Sequence, residues 1–319
     1  MITPATAINN PLDNGLKQAL EQVVSQASRV ILGKDHEIRL AIACLLARGH
    51  LLIEDQPGVG KTTLAHVLAH TLGLQYNRIQ FTSDLLPADI LGVSIFNKEQ
   101  GTFHFQPGPI FAELILADEV NRATPKAQSA LLEAMEEKQV TIEGKTRPLP
   151  EQFFVIATQN PTYQTGTFPL PESQLDRFLM RLSLGYPNAK AERELLSGGD
   201  RRDMLKTLKT CINSQQLTEL QNAVTEIHVS DALLDYVQAL LDFSRQSPQI
   251  DTGLSPRAGL ALMRCAKAWA LMMSRDHVLP EDIQTILPHV VSHRLKHVAD
   301  SSEQNCATLV SLLESVPIP

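Results

Sequence analysis

The chain has 319 residues, of which 43% are hydrophobic and 20% are charged, and its formal net charge at pH 7 is −7. This length is sufficient for two domains with separate cores, and the composition excludes an intrinsically disordered chain. The acidic balance argues against tight general binding to duplex DNA, which depends on clustered Lys and Arg. Because we find neither an apolar run of roughly 18 residues nor a signal-peptide pattern, we expect a cytoplasmic protein without a transmembrane segment.

Residues 1–14 are rich in Pro, Asn and Thr and lack hydrophobic periodicity, which predicts a flexible N-terminal leader. Apolar positions at helical spacing then predict helices at 16–27 and 38–45. Five short apolar runs follow, with helical patterns at 61–72 and 126–138 among them. This alternation is typical of an α/β domain with a mostly parallel sheet flanked by helices. The five predicted strands are 51–53, 78–81, 114–117, 153–157 and 179–184.

The pattern changes after residue 186, where strand signals end and helical segments continue to the C-terminus. Residues 231–243 and 256–273 have helical periodicity, and Pro280 is well placed to begin another helix. His289, His293 and His297 would share one helix face at successive i, i+4 steps. We interpret this series as a solvated helix face, since no carboxylate completes a set of metal ligands.

A phosphate-binding loop is predicted at residues 55–62, which match the P-loop pattern except that Asp55 replaces its first glycine. The segment follows an apolar strand and opens a helical pattern, so backbone amides can converge on phosphate oxygens. Lys61 would supply a cation to the β and γ phosphates, and Thr62 would offer a hydroxyl to Mg²⁺. A glycine-rich turn without a ligand is the alternative. The predicted nucleotide contacts are Gln56, Pro57, Gly58, Val59, Gly60, Lys61, Thr62 and Thr63.

A second predicted element of the nucleotide site is the apolar strand 114–117, which ends in Asp118 and Glu119. Asp118 would hold Mg²⁺ through water, and Glu119 would orient and polarise the attacking water. Adjacent strand residues point to opposite sides, which allows them different roles. A strand that ends in two acidic residues is common by itself. Its position downstream of a P-loop favours the catalytic interpretation.

Further motifs extend along the chain, and with the two nucleotide elements they carry a family resemblance. The chain resembles the MoxR family of AAA+ ATPases over nearly all of residues 28–300. The resemblance implies a P-loop core over 15–186 with a parallel five-stranded sheet, followed by a smaller all-helical lid domain over 187–319. The additional motifs are QFT at 80–82, DLLP at 84–87, FQPGPIF at 105–111, DEVNRA at 118–123, ATQNP at 157–161 and LPESQLDRF at 170–178.

The resemblance also implies roles for single residues. Asn160 matches sensor 1, which helps to position the attacking water, although an Asn before Pro is otherwise most often a turn residue. Arg177 matches the arginine finger that reaches into a neighbouring subunit, and a surface ion pair is its ordinary alternative. Arg257 matches sensor 2 at the start of a lid helix, and an ordinary first-turn arginine is its alternative. Gly33 and Lys34 lie where family members cover the adenine.

Two insertions complete the resemblance. Residues 105–111 resemble the family's insertion around the second core helix. Residues 139–152, with a tight turn at 143–145, resemble the hairpin that faces the pore of the ring. A plain surface hairpin is the alternative for the second segment.

The implied function is Mg²⁺-dependent ATP hydrolysis that drives chaperone-like remodelling or maturation of protein partners. The resemblance also implies a homo-oligomeric ring, expected to be a hexamer, and partners that contain von Willebrand A domains. One alternative is a helicase-like motor that depends on nucleic acid, for which Lys138, Lys145 and Arg147 would line a channel. The other is a nucleotide-gated scaffold that does not hydrolyse ATP, in which Glu119→Gln would have no effect.

Overall fold

A computed structural model describes residues 14–160, 168–198, 204–205, 207–298 and 303–318 of the chain. Contacts within the chain form two compact units. One consists of residues 23–214, and the other combines the residues from Gln215 onward with the residues up to Gln22. The predicted leader lies outside the described residues except for Asn14, where the first helix begins. None of the described helices is long and apolar enough to cross a membrane.

Nine strands described in the first unit form one five-stranded sheet and two hairpins. In chain order they are β1 (Leu51–Glu54), β2 (Tyr76–Gln80), β3 (Gly92–Asn97), β4 (Thr102–Pro107), β5 (Leu114–Asp118), β6 (Gln139–Ile142), β7 (Lys145–Pro148), β8 (Phe154–Gln159) and β9 (Met180–Leu182). The five-stranded sheet is parallel and has the order β2-β5-β8-β1-β9. Its strands are the five apolar runs predicted from the sequence, which confirms the predicted fold class.

Strands β5 and β8 lie inside the sheet and are buried along their whole length. Parallel strands that are covered on both faces read as continuous apolar runs, so the sequence could reveal them without alternation. The carboxyl ends of parallel strands meet at one edge of the sheet, where α/β proteins bind their ligands. The residues that follow Glu54, Asp118 and Gln159 therefore come together at this edge.

Helices flank the sheet of the first unit, and several of them bury apolar residues. They are α1 (Asn14–Val30), which the second unit shares, α2 (Asp35–Leu46), α3 (Lys61–Thr71), α4 (Pro87–Leu91), α5 (Pro125–Glu137), α6 (Glu172–Leu175) and α7 (Ala189–Ser197). The predicted helices at 61–72 and 126–138 are confirmed as α3 and α5. Helix α7 groups with the first unit by its contacts, so the predicted domain division after residue 186 stays a prediction.

Two antiparallel hairpins project from the core of the first unit. Strands β6 and β7 join through Glu143 and Gly144, whose φ angles of 51° and 75° are typical of a type I′ turn. This confirms the hairpin predicted within residues 139–152. The hairpin of β3 and β4 was not predicted as strands.

The β3–β4 hairpin leaves large apolar side chains in solvent. Val93 and Ile95 are exposed on β3, and Phe96 lies 5.2 Å from Phe103 between ring centroids. The cross-strand pairs of the hairpin place Phe96 opposite Phe103. Because no face of the hairpin tip is buried, its sequence lacks the clear alternation by which a strand is recognised.

The second unit is helical, as predicted, with one short ribbon between its helices. Strands β10 (Ile250–Thr252) and β11 (Lys296–His297) form the ribbon. The helix that carries Arg257 begins after Ser255, whose hydroxyl accepts a hydrogen bond from the Ala258 amide at 3.2 Å. The described helices are α8 (Ser214–Glu226), α9 (Asp231–Gln246), α10 (Pro256–Met272), α11 (Pro280–Val291) and α12 (Glu303–Glu314).

The predicted histidine stripe does not form a solvated helix face. Helix α11 begins at Pro280, as predicted, but ends at Val291. His293 lies beyond the helix and is buried, and His297 belongs to β11. The prediction required one helix that contains all three histidines, and it is wrong because the helix ends before His293. Among the described residues, no group of three or more His, Cys, Asp or Glu side chains is arranged to hold a metal ion.

Candidate functional site

The P-loop connects β1 to α3 and has the backbone that phosphate binding requires. Gly58 and Gly60 have φ angles of 86° and 99°, a region that favours glycine. A Cβ added at either glycine would meet no described atom within 4 Å, so the space beside the loop is open. Gly60 is the N-cap of α3 and Thr62 is exposed in its first turn. Open space therefore lies beside the loop and at the positive end of the helix dipole, as an anion site needs.

Lys61 is 8% exposed and points back into the loop and the neighbouring strand end. Its Nζ donates hydrogen bonds to the Asp55 carbonyl at 2.7 Å and to Asn160 Oδ1 at 3.3 Å. Burial lowers the pKa of the Lys61 ammonium group, and nearby carboxylates, first that of Asp55, oppose this shift. The ammonium group is thus held beside Asn160 at the phosphate-binding loop.

Asp118 ends β5 and is 7% exposed. Its Oδ1 accepts a hydrogen bond from the Thr158 hydroxyl at 2.5 Å. Its Oδ2 accepts from Arg78 Nη2 at 2.7 Å and from Arg78 Nε at 3.1 Å. A hydroxyl from β8 and a guanidinium from β2 therefore orient this carboxylate from both of its sheet neighbours.

Glu119 follows β5 in the left-handed region, with φ 57° and ψ 46°. A non-glycine residue pays a conformational cost there, so other contacts must hold the position. The Glu119 amide donates to the Thr158 hydroxyl at 2.9 Å. Thr158 thereby connects the backbone of Glu119 to the side chain of Asp118.

The Glu119 carboxylate is also held at both oxygens. Asn160 Nδ2 donates to Oε1 at 3.1 Å, and Gln80 Nε2 donates to Oε2 at 3.2 Å. Arg122 Nε lies 3.1 Å from Oε2. Asn160 therefore contacts both Lys61 and Glu119 and connects the phosphate-binding loop to this carboxylate.

Three contacting residues on the neighbouring strands, Arg78, Gln80 and Thr158, were not among the predicted site residues, and neither was Arg122, which follows β5. Arg78 and Gln80 lie two residues apart on β2, which pairs with β5 so that Gln80 is opposite Asp118. Thr158 lies on β8, the other neighbour of β5. Polar residues at strand ends could have suggested all three, but only the strand order shows which of them reach the carboxylates.

The remaining predicted residues lie outside this hydrogen-bonded cluster. Lys34 precedes α2, and its Nζ is 3.6 Å from Glu37. Gly33 has a φ of 69°. Arg177 follows α6 and pairs with Glu136 of α5 at 2.9 Å. Arg257 is exposed in the first turn of α10, in the second unit. Of the motif ATQNP, Pro161 lies outside the described residues.

The cluster has the donor set that a nucleotide with Mg²⁺ requires. The loop glycines and Lys61 offer amide donors and a cation to phosphate oxygens, and Asp118 and Thr62 offer the oxygen ligands that Mg²⁺ prefers. A magnesium ion would supply charge neutralisation at the phosphates. The described residues therefore fit both a nucleotide and a magnesium ion.

Comparison with protein families gives two matches in chain order. Residues 50–180 match the ATPase family associated with various cellular activities (AAA), and residues 242–311 match an AAA lid domain. The first match contains the P-loop, Asp118, Glu119, Asn160 and Arg177. The second contains Arg257.

Similarity to individual proteins extends over most of the chain. An uncharacterised protein, YeaC of Bacillus subtilis, is 46% identical over 88% of the chain and 88% of its own length. The chaperone MoxR1 of Mycobacterium tuberculosis is 37% identical over 94% of the chain and 82% of its own length. A crystal structure described as a "putative ATPase" of Cytophaga hutchinsonii is 35% identical, has a TM-score of 0.83, and covers 95% of the chain and 96% of its own.

Proposed function

Since the chain belongs to the MoxR family of AAA+ ATPases, we propose that it binds ATP with Mg²⁺ at the edge of its sheet, hydrolyses it, and uses the energy to remodel or mature protein partners. The observation that carries the proposal is the continuous hydrogen-bonded chain from Lys61 through Asn160 to Glu119. It connects a phosphate-binding cation to a carboxylate that can activate water.

The residues of the cluster have separate roles in this proposal. The loop residues 56–63 bind the phosphates through backbone amides, and Lys61 turns from the Asp55 carbonyl to the β and γ phosphates. Glu119 accepts a proton from the attacking water while Asn160 holds that water in line. Asp118 and Thr62 hold Mg²⁺. Gly33 and Lys34 cover the adenine.

Assembly supplies the remaining groups in this proposal. Arg177 leaves Glu136 and reaches the γ-phosphate bound by a neighbouring subunit, which makes the ring, a hexamer by resemblance, necessary for hydrolysis. Arg257 senses the nucleotide from the helical lid. Proteins with von Willebrand A domains are the partner class, and the relative named as a chaperone supports a protein substrate. The cytoplasmic location stays a prediction.

The decisive experiment mixes two variants that are each inactive. Glu119→Gln removes the base, and Arg177→Ala removes the finger, so each variant alone should lose about 10³-fold in turnover. If the finger acts between subunits, a mixed ring contains interfaces with one intact Glu119 and one intact Arg177. Steady-state ATP hydrolysis should therefore recover to a substantial fraction of wild type on mixing, and wild-type turnover should rise cooperatively with protein concentration.

The matched control for the finger is Arg193→Ala, which removes an exposed arginine from α7 and should leave turnover unchanged. Lack of recovery on mixing would contradict a finger that acts between subunits. Full turnover by Glu119→Gln alone would contradict the assigned base. Strong stimulation of the wild type by DNA or RNA would replace protein remodelling with the nucleic-acid motor.

A further inference from the structure

We propose that Asp55, which stands where the P-loop pattern has its first glycine, is a positioning residue that fixes the phosphate-binding loop at a set distance from the base side of the nucleotide site. The inference rests on the proposed function, because it assigns a geometric role within the same site. It gives a function to the one position at which the loop departs from its pattern.

The Asp55 carboxylate is 8% exposed and accepts hydrogen bonds at both oxygens. Its Oδ1 accepts from the Gln56 amide at 2.7 Å, inside the loop. Its Oδ2 accepts from the Gly185 amide at 2.6 Å and from the Ser183 hydroxyl at 3.0 Å, which lie 130 and 128 residues further along the chain. One side chain therefore joins the loop to the segment 183–185.

The two joined segments leave neighbouring strands of the sheet. Asp55 follows β1 by one residue and Ser183 follows β9 by one residue, and β1 pairs with β9 in parallel. One residue earlier, Glu54 of β1 pairs with Arg181 near the end of β9 at 2.9 Å. The Asp55 carboxylate thus connects the two segments directly after the ends of β1 and β9.

Segment 183–185 continues to the region expected to cover the adenine. A Cβ added at Gly185 would lie 3.8 Å from Lys34 Nζ, and a Cβ added at Gly33 would lie 3.1 Å from Asn188 Nδ2. The chain after β9 therefore packs against the Gly33–Lys34 segment. Through Asp55, the loop that would bind phosphates is connected to the segment that would contact the base.

The backbone conformation of the loop does not account for the residue at this position. Asp55 is not among the residues with positive φ, so its backbone conformation does not require glycine. A carboxylate beside a polyphosphate site repels the ligand, however, so it weakens binding unless it contributes something else. Its three hydrogen bonds across two segments are that contribution, because bonds to a charged acceptor are stronger than neutral ones.

The test compares a ligand that spans both ends of the site with one that occupies only the phosphate end. ADP and pyrophosphate, each with Mg²⁺, would be titrated by calorimetry into wild type, Asp55→Gly, Asp55→Asn and Ser183→Ala. Asp55→Gly restores the ordinary P-loop residue but removes the link, and should weaken ADP binding about tenfold while pyrophosphate changes less than about threefold. Asp55→Asn should be intermediate, and Ser183→Ala should weaken ADP binding about twofold.

A second readout follows the link without any ligand. Hydrogen exchange of the Gly185 amide in the nucleotide-free protein should be at least about tenfold faster in Asp55→Gly than in wild type. Glu133→Gln, which removes an exposed carboxylate from α5, is the control for lost charge and should change neither readout. If Asp55→Gly does not fold, Asp55→Asn and Ser183→Ala decide the outcome.

The outcomes separate this inference from the proposed function. Parallel changes of ADP and pyrophosphate affinity in the Asp55 variants, or a Gly185 amide that exchanges as in wild type, would overturn the positioning role alone. A lower thermal midpoint with an unchanged ratio of the two affinities would do the same, because it would make Asp55 only a stabilising residue. Wild type that bound neither ligand would overturn both proposals.

Discussion

The sheet edge around Glu119 and the tip of the β3–β4 hairpin belong to the same unit, but the surroundings of their side chains are opposite. At the edge, all four carboxylate oxygens of Asp118 and Glu119 have hydrogen-bonding or ion-pair partners. At the tip, Phe96 is 49% exposed and Phe103 is 72% exposed.

The difference shows what each region is built to contact. A connected polar network fixes a few atoms closely, which suits a small, highly charged ligand. Exposed aromatic side chains contribute little to the isolated chain, and their burial would be favourable only against another surface. Substitutions at the edge should therefore change nucleotide chemistry, whereas substitutions at the hairpin should not.

The largest expected contrast comes from a lysine in each region. Lys61→Met should weaken ADP binding by about 100-fold, because it removes the buried cation of the phosphate site. Lys98→Met, in the exposed turn between β3 and β4, should leave the affinity within about twofold. Calorimetric titration of both variants measures the contrast, and similar losses in the two would refute the separation of the regions.

One threonine at the sheet edge and one in the β6–β7 hairpin give a smaller contrast. Thr158→Val should lower turnover about tenfold and leave ADP affinity within about threefold, because the partly buried Glu119 amide and the buried Asp118 both lose their shared hydroxyl partner. Thr141→Val removes one side of an exposed contact at 3.0 Å with Thr146 in the β6–β7 hairpin and should leave both quantities unchanged. Steady-state kinetics would test this, and unchanged turnover in Thr158→Val would show that the hydroxyl is dispensable.

Arg78 allows a test of whether its ion pair with Asp118 hinders metal binding by the Asp118 carboxylate. Arg78→Met removes the guanidinium that competes for Asp118 Oδ2, so the Mg²⁺ concentration for half-maximal ADP binding should fall about threefold. The effect is modest because the Arg78 side chain is 47% exposed and its ion pair is screened. Arg147→Met is the control in the β6–β7 hairpin, where the Arg147 guanidinium lies 3.8 Å from the Phe105 ring centroid. A rise in the required Mg²⁺ would mean that Arg78 holds Asp118 in its metal-binding orientation.

The smallest effect is expected from the hairpin tip itself. Replacement of Phe96 and Phe103 together by Ser removes an exposed aromatic pair worth about 1 kcal/mol. The free energy of unfolding, measured with urea, should fall by no more than about this amount, and basal turnover should stay within about twofold. A large loss of basal turnover would show that the tip belongs to the nucleotide machinery after all.

The sequence predicted those parts of the molecule that have a local signature. The five sheet strands are apolar runs, and the P-loop combines strand, glycines, Lys61 and helix in one continuous segment. The β3–β4 hairpin was missed because its apolar residues are exposed and follow no buried face. Its fold depends on pairing between strands rather than on burial.

The cluster around Glu119 could be predicted only in part, for a topological reason. Asp118 and Glu119 follow one strand and were recognised by their distance from the P-loop. Arg78 and Thr158 act on them from the two neighbouring strands, and neighbourhood in a parallel sheet does not follow chain order. The link between Asp55 and Gly185 depends on the same strand order, since the two residues are far apart in the sequence.

The left-handed backbone at Glu119 makes glutamate a conformationally unfavourable residue at this position. Glycine or asparagine adopts such a conformation more easily, by about 1 kcal/mol or more, so folding alone would favour their replacement of glutamate. The presence of Glu119 therefore opposes the preference of the backbone. If the proposed hydrolysis were lost in a descendant of this chain, Glu119 would be expected to change to glycine early, and the residue at this one position would then record the loss.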